Sequence, residues 1–206
     1  MNIKAIAASL VVAVSSVAWG EDTAAVRNER WAAPISLDGV PNLHQITPTL
    51  YRSEQPTPLG FQNLEKLGIR TVINLRAFND DLDELRGTSL RAVHVPVRTW
   101  HLETEDVVAV MRELRQPENG PFLIHCQHGA DRTGLMSAMY RMLEQDWTAD
   151  DALAELVDGG YGYHSMWRNI KRYVLSVDVD KLRSALAVVD SAATSPTGST
   201  TTVTDN

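Results

Sequence analysis

One segment restricts the fold of this chain more than any other. Pro121-Phe122-Leu123-Ile124-His125 is a short apolar run, enough for a strand buried on both faces and too short for a helix. It stops at Cys126. After the polar stretch 127–131 the periodicity becomes helical, with apolar side chains at Leu135, Met136, Met139, Met142 and Leu143. A buried strand that feeds a helix through a short loop needs further strands beside it and helices over both faces.

The flanking sequence supplies them. Short strands are expected over 43–47 and 50–53 around Pro48, then over 70–75 (RTVINL) and over 91–97, where Val93, Val95 and Val97 alternate onto one face. Thr57-Pro58 opens a helix that Gly68 closes. Thr104 is expected to cap a helix running to about Gln116, and the acidic stretch 80–87 reads as a short helix or loop. Four more helices fit at about 132–145, 149–157, 163–176 and 178–188. The fold class is therefore α/β, a single domain over 43–190 with a central, largely parallel five-stranded sheet flanked by helices.

The ends are different in kind. Lys4 is followed by the 14 uncharged residues 5–18, about 21 Å of helix and short of a bilayer's roughly 30 Å core, and the run closes on Ala18-Trp19-Gly20 before Glu21. This is the layout of a secretory signal peptide over 1–20. It places the mature protein in the periplasm or outside the cell, without a stable membrane anchor. Residues 21–42 read as an irregular arm. The tail 191–206 (SAATSPTGSTTTVTDN) reads as disordered.

Composition excludes several functions. With one cysteine, no disulfide framework or Cys-rich metal site is open to this chain. No His/Asp/Glu cluster has ligand spacing, so no metal or cofactor is expected. A net charge of −7 is wrong for gripping nucleic acid by its phosphates. The chemistry must be local, and it concentrates in HCQHGADRTG, residues 125–134. A tight loop between a strand end and a helix start can cup an anion with its backbone N–H groups. Gly129 permits the unusual backbone such a loop needs, and Gly134 lets the helix approach its neighbours. The partial positive charge of the helix end favours a thiolate at Cys126. Arg132 offers a planar fork for two phosphate oxygens. Thiolate, cradle and fork together describe attack on a phosphate ester.

The same ten residues match the HCxxGxxR[ST]G loop of the cysteine-dependent protein tyrosine phosphatase superfamily. The length of the chain and the late cysteine resemble its compact dual-specificity branch. The similarity spans roughly 43–175, and LYRSEQP and GIRTVINLR resemble the opening of secreted bacterial members. The resemblance implies that Cys126 forms a phosphocysteine intermediate and that Arg132 holds the equatorial oxygens. It implies that the N–H groups of Gln127, His128, Gly129, Ala130, Asp131 and Arg132 complete the cradle. Thr133 would bond the Cys126 sulfur, and His125 would support the loop from behind. The substrates implied are phosphotyrosine, phosphoserine and phosphothreonine proteins acted on by a monomer. An inositol phosphate or phosphoinositide phosphatase is the alternative, and a catalytically dead phosphate-binding module is a third reading.

The proton donor is where the chain departs from the family. Members carry an Asp early in the loop after the strand that precedes the upstream helix; here Thr99, Trp100 and His101 stand there. Glu103, Glu105 and Asp106 come later, where acids also suit the first turn of a helix. Asp131 sits where the myotubularin lipid phosphatases, which look similar at this loop, place an acid. The expectation is Asp131 as donor with Glu103 second, or no donor and hydrolysis of good leaving groups only. His128 could face substrate or solvent, and Trp100 and His101 could wall the cleft. Arg168, Lys171 and Arg172 read as a solvated helix face, His44 and His94 as ordinary strand histidines.

Overall fold

The computed structural model describes residues 27–193. The leader expected over 1–20 and the tail from 194 onward lie outside the described residues. Six strands form one sheet: β1 (Ala33–Pro34), β2 (His44–Thr47), β3 (Leu50–Ser53), β4 (Thr71–Asn74), β5 (Arg91–His94) and β6 (Phe122–His125). Their order is β1-β2-β3-β6-β4-β5. The first three are antiparallel neighbours, while β3, β6, β4 and β5 run parallel. The helices are α1 (Pro58–Leu67), α2 (Thr104–Leu114), α3 (Asp131–Glu144), α4 (Ala149–Asp158), α5 (Arg168–Ser176) and α6 (Val179–Ala193). No helix among the described residues is long and apolar enough to cross a membrane.

The sheet has one strand more than the five expected. Ala33 and Pro34 of the arm pair with Gln45 and His44 as a two-residue edge. Proline reads as a strand breaker in sequence, yet an edge strand needs no donor on its outer side. The arm is not loose: Ala32 and Val40 are buried. Further boundaries move: the strand expected over 91–97 stops at His94. Glu103, not Thr104, occupies the cap position of α2, and its side chain bonds no helix N–H but pairs with His101 at 3.0 Å. Of the helix or loop expected over 80–87, the structure has the loop, with turns over 82–87. Helix α5 starts at Arg168 rather than at 163: His164 is bound to Asp131, and a turn from the Trp167 N–H to the His164 carbonyl precedes the helix. At the far end, residues 191–193 belong to α6 rather than to the tail.

Every residue of β3, β4 and β6 is buried, as expected for central strands covered on both faces. Side-chain alternation divides the core. Tyr51, Val72 and Leu123 meet Phe61 and Leu64 of α1 on one face. Leu50, Ile73, Phe122 and Ile124 face the larger cluster contributed by α2 to α6 on the other. Helix α3 lies in the middle of that layer, buried on almost every side. A Cβ on Gly134 would stand 3.2 Å from Leu156 Cγ, so the missing side chain is what lets α3 and α4 touch.

One buried ion pair joins these helices to the arm. Arg141 of α3 donates to Glu155 of α4 through Nε and Nη2 at 2.7 and 2.9 Å, and the pair is almost fully enclosed. Glu155 Oε1 also accepts from the Ala32 N–H at 2.7 Å and from the Tyr161 hydroxyl at 3.1 Å. Burial alone would raise the Glu155 carboxyl, but the hydrogen bonds and charge of Arg141 outweigh it and hold it below the ordinary value of 4.5. A lowered folded value means stability that is fully present above 4.5 and drains away as pH falls below it. Glu155→Gln is expected to cost roughly 3 kcal/mol, which lowers Tm by about 10 °C at neutral pH. Its Tm should also fall less steeply than wild type between about pH 5 and 3 in a thermal scan.

Candidate active site

The parallel strands β3, β6 and β4 all end at one rim of the sheet, and the loop from Cys126 to Asp131 rises from the middle of it. Cys126 follows directly on β6 and is 2% exposed, at the floor. Gln127 and His128 are exposed, whereas Gly129 and Ala130 turn back into the protein. Among the described residues, no backbone N–H from Gln127 to Arg132 donates to another protein group. Those donors remain for an anion, at the start of a 14-residue helix whose end adds positive charge.

Three contacts hold the loop in this shape. The first is steric. Gly129 has φ +65°, and a Cβ there would lie 2.5 Å from Ser53 C and Glu54 N, backbone atoms at the end of β3 that cannot yield. The second comes from beneath. Arg52 of β3 is 1% exposed and donates from Nη2 to the Gly129 carbonyl at 2.7 Å. Its guanidinium lies 3.6 Å from the Tyr161 ring centroid, while Nε and Nη1 are buried without partners. Burial pulls Arg52 down to about 10, still a cation at neutral pH, and the nearby Tyr161, Glu155 and Cys126 support its charge.

The third contact is at the foot of the loop. His125, fully buried, places Nε2 2.7 Å from Asp81 Oδ2. The other Asp81 oxygen accepts from Arg76 at 2.8 Å and Gln55 at 3.0 Å. Burial would raise the Asp81 carboxyl; the His125 hydrogen bond and the charges of His125 and Arg76 overcome this and lower it. A fixed carboxylate therefore anchors the histidine that precedes the nucleophile.

The remaining residues occupy definite places. Arg132 donates from Nη1 to the Leu75 carbonyl at 3.4 Å, a long bond that an arriving oxyanion can replace, and its Nε is buried unpaired. Thr133 Oγ1 is buried with no hydrogen-bond partner, so it is not bonded to the Cys126 sulfur as the resemblance implied. Asp131 is 7% exposed, and both its oxygens are engaged: Oδ1 accepts from the His164 N–H at 3.0 Å, and Oδ2 lies 2.8 Å from His164 Nδ1. Glu103 is half exposed against His101. Trp100, His101, Asn169 and Arg172 line one shallow groove of about 250 Å³. Of the strand histidines, His44 stands edge-on to Tyr161, and His94 places Nε2 2.7 Å from the Arg76 carbonyl.

Sequence reasoning passed over Arg52, Asp81, Tyr161 and His164. Only Arg52 carried a signal, a charged residue inside a segment expected to be a strand.

The family described as DSP-PTPase phosphatase fused to NAD+ Kinase matches residues 38–160. The dual specificity protein phosphatase TpbA of Pseudomonas aeruginosa is 38% identical over 167 residues, 81% of this chain and 75% of that protein. The chain belongs to the cysteine-dependent protein tyrosine phosphatases, in their dual-specificity branch. A crystal structure of P. aeruginosa TpbA superposes with a TM-score of 0.70 at 36% identity, covering 77% of this chain and 98% of the other. The crystal structure of that protein in complex with phosphotyrosine gives 0.71 at 34% identity, covering 78% and 98%. The catalytic core of a PP-IP phosphatase from S. cerevisiae shares the fold, with a TM-score of 0.64 at 20% identity over 75% of this chain and 96% of that one. The chain is thus a phosphoric monoester hydrolase whose cradle is built from the geometry above.

That geometry leaves no room for a side chain at residue 129 of this dual-specificity phosphatase. Gly129→Ala must move either the loop or β3, and a displacement on the order of 1 Å at the cradle costs roughly 100-fold in rate. Far-UV circular dichroism should remain native-like while kcat/KM on p-nitrophenyl phosphate falls by about that factor.

Proposed function

We propose that this phosphatase hydrolyses phosphotyrosine, together with phosphoserine and phosphothreonine, in proteins outside the cytoplasm. The observation that carries the reading is the similarity to TpbA, a relative whose crystal structure holds phosphotyrosine. The cradle agrees with a single phosphate. It contains one arginine and no lysine, and Asp131 adds a negative charge beside Arg132, which opposes a ligand bearing several phosphates.

The residues divide the reaction between them. Cys126 Sγ attacks phosphorus in line with the ester oxygen, which leaves as the S–P bond forms. The Arg132 fork and the loop N–H groups stabilise the equatorial oxygens where charge develops. Water then attacks the phosphocysteine, releasing phosphate and regenerating the thiolate. The location rests on the leader-like layout of residues 1–20. With one cysteine in the sequence, Cys126 has no intramolecular thiol partner.

A panel of a phosphotyrosine peptide, a phosphoserine peptide and inositol hexakisphosphate, with Cys126→Ser as control, separates the readings. Turnover of the peptides by wild type and none by the serine variant is the expected result. Preferential turnover of the inositol phosphate would establish the alternative, and equal inactivity of both proteins on all three would leave only a phosphate-binding module. Brief peroxide treatment should abolish activity, and a thiol should restore it, because sulfenic acid is reversible and the higher oxides are not. Activity that ignores peroxide would contradict a thiolate nucleophile.

A further inference from the structure

An unactivated phosphate ester leaves as an alkoxide or phenoxide and needs a proton as its P–O bond breaks. In the stretch 97–106, His101 and Glu103 bond each other, with side chains 64% and 49% exposed, Glu105 is exposed, and Asp106 is half-buried in the first turn of α2, its carboxyl raised by burial and by the charge of Glu103. Three protonatable side chains belong to or touch the cradle instead, namely His128, Asp131 and His164. The His128 ring has no hydrogen-bond partner among the described residues and lies edge-on to His164, with centroids 5.3 Å apart. Asp131 has both oxygens committed to His164. His164 is the group held in one orientation.

We propose that Asp131 and His164 act as a proton-donating pair, with His164 the acid and Asp131 its positioning residue. A carboxylate only accepts, so Nδ1 carries the hydrogen that Asp131 receives, and Nε2, on the other side of the ring, is the atom that gains and loses a proton. Nε2 has no partner among the described residues, and the ring is 44% exposed where it borders His128. The main-chain bond from the His164 N–H to Oδ1 fixes the segment as well as the ring. The charged and titratable groups around the pair are Asp131 on α3, His128 in the loop, Tyr163 beside it, and Lys171 of α5, 5.4 Å from the Tyr163 ring centroid. Burial first, and then the Asp131 charge, push the Tyr163 phenol up to about 12, so Asp131 is the only acid in this group.

The proton count closes. In the first step Sγ bonds phosphorus, the P–O pair departs on the ester oxygen, and that oxygen takes the proton from Nε2, leaving neutral His164. In the second, a water gives its proton to Nε2 while its oxygen bonds phosphorus and the S–P pair returns to Cys126. Ester and water become alcohol and phosphate, and His164 ends as it began.

The inference rests on the phosphatase reading and is tested so that the two can fail separately. Phenyl phosphate has a leaving group that needs the proton; p-nitrophenyl phosphate has one that hardly does. His164→Gln should lower kcat/KM, which reports the first step alone, on phenyl phosphate by roughly 100-fold and on p-nitrophenyl phosphate by only a few-fold. It should also remove the basic limb of the phenyl phosphate pH profile, where wild type loses the protonated ring. Asp131→Asn, which keeps the shape but not the charge, should shift both readouts the same way and less far. Equal losses of kcat/KM on the two esters, an unchanged pH profile, or a selective loss in His101→Gln, Asp106→Asn or His128→Gln instead would overturn the assignment. Inactivity of wild type on p-nitrophenyl phosphate would defeat the phosphatase reading itself.

Discussion

The structure depends on keeping a short loop open around an anion at the point where a buried strand becomes a buried helix. A chain left to itself would collapse such a loop onto its own N–H groups or onto water. Here the carbonyl of Gly129 is pinned against the end of β3 by a guanidinium that cannot reach solvent. Enclosing a charge is expensive, and the Tyr161 face and the short charge-assisted bond offset it, by roughly 2 kcal/mol each when desolvated. The same tyrosine bonds Glu155, and Glu155 binds Arg141 and the arm. The cradle is therefore continuous with the ion pair that locks α3, α4 and the N-terminal arm together.

This arrangement explains how an acidic chain can attract a phosphate. The positive charge is local: Arg132 in the loop, Arg52 beneath it, and the first turn of α3. Two buried carboxylates, Asp81 and Glu155, stand one layer further back, each held ionised by a cation that it orients. Asp131 is the one acid placed within the loop itself, and its commitment to His164 ties the cradle to the segment between α4 and α5.

Much of this was legible in the sequence. The apolar run at 121–125, the β-branched run at 70–75 and the Thr57-Pro58 start each reflect a local physical rule, and the α/β class follows from their alternation. Cys126, Gly129 and Arg132 were readable because the loop's chemistry needs those residue types at that spacing. The partners that support them were not. Asp81 lies 44 residues from His125 in an acidic stretch that resembles a solvated loop. His164 lies 33 residues from Asp131, at the start of what periodicity assigned to a helix. Only the fold brings such pairs together. The two-residue strand at Ala33–Pro34 was hidden because proline ordinarily argues against pairing.

The central claim is that Cys126 is the atom that carries phosphate between ester and water. Mixing the protein with excess p-nitrophenyl phosphate, quenching in acid within milliseconds and measuring the intact mass tests it directly. The account predicts a single phosphoryl adduct that maps to Cys126, forms at the rate of the nitrophenol burst and is absent in Cys126→Ser. Full turnover with no adduct at any quench time, or an adduct on another residue, would contradict it.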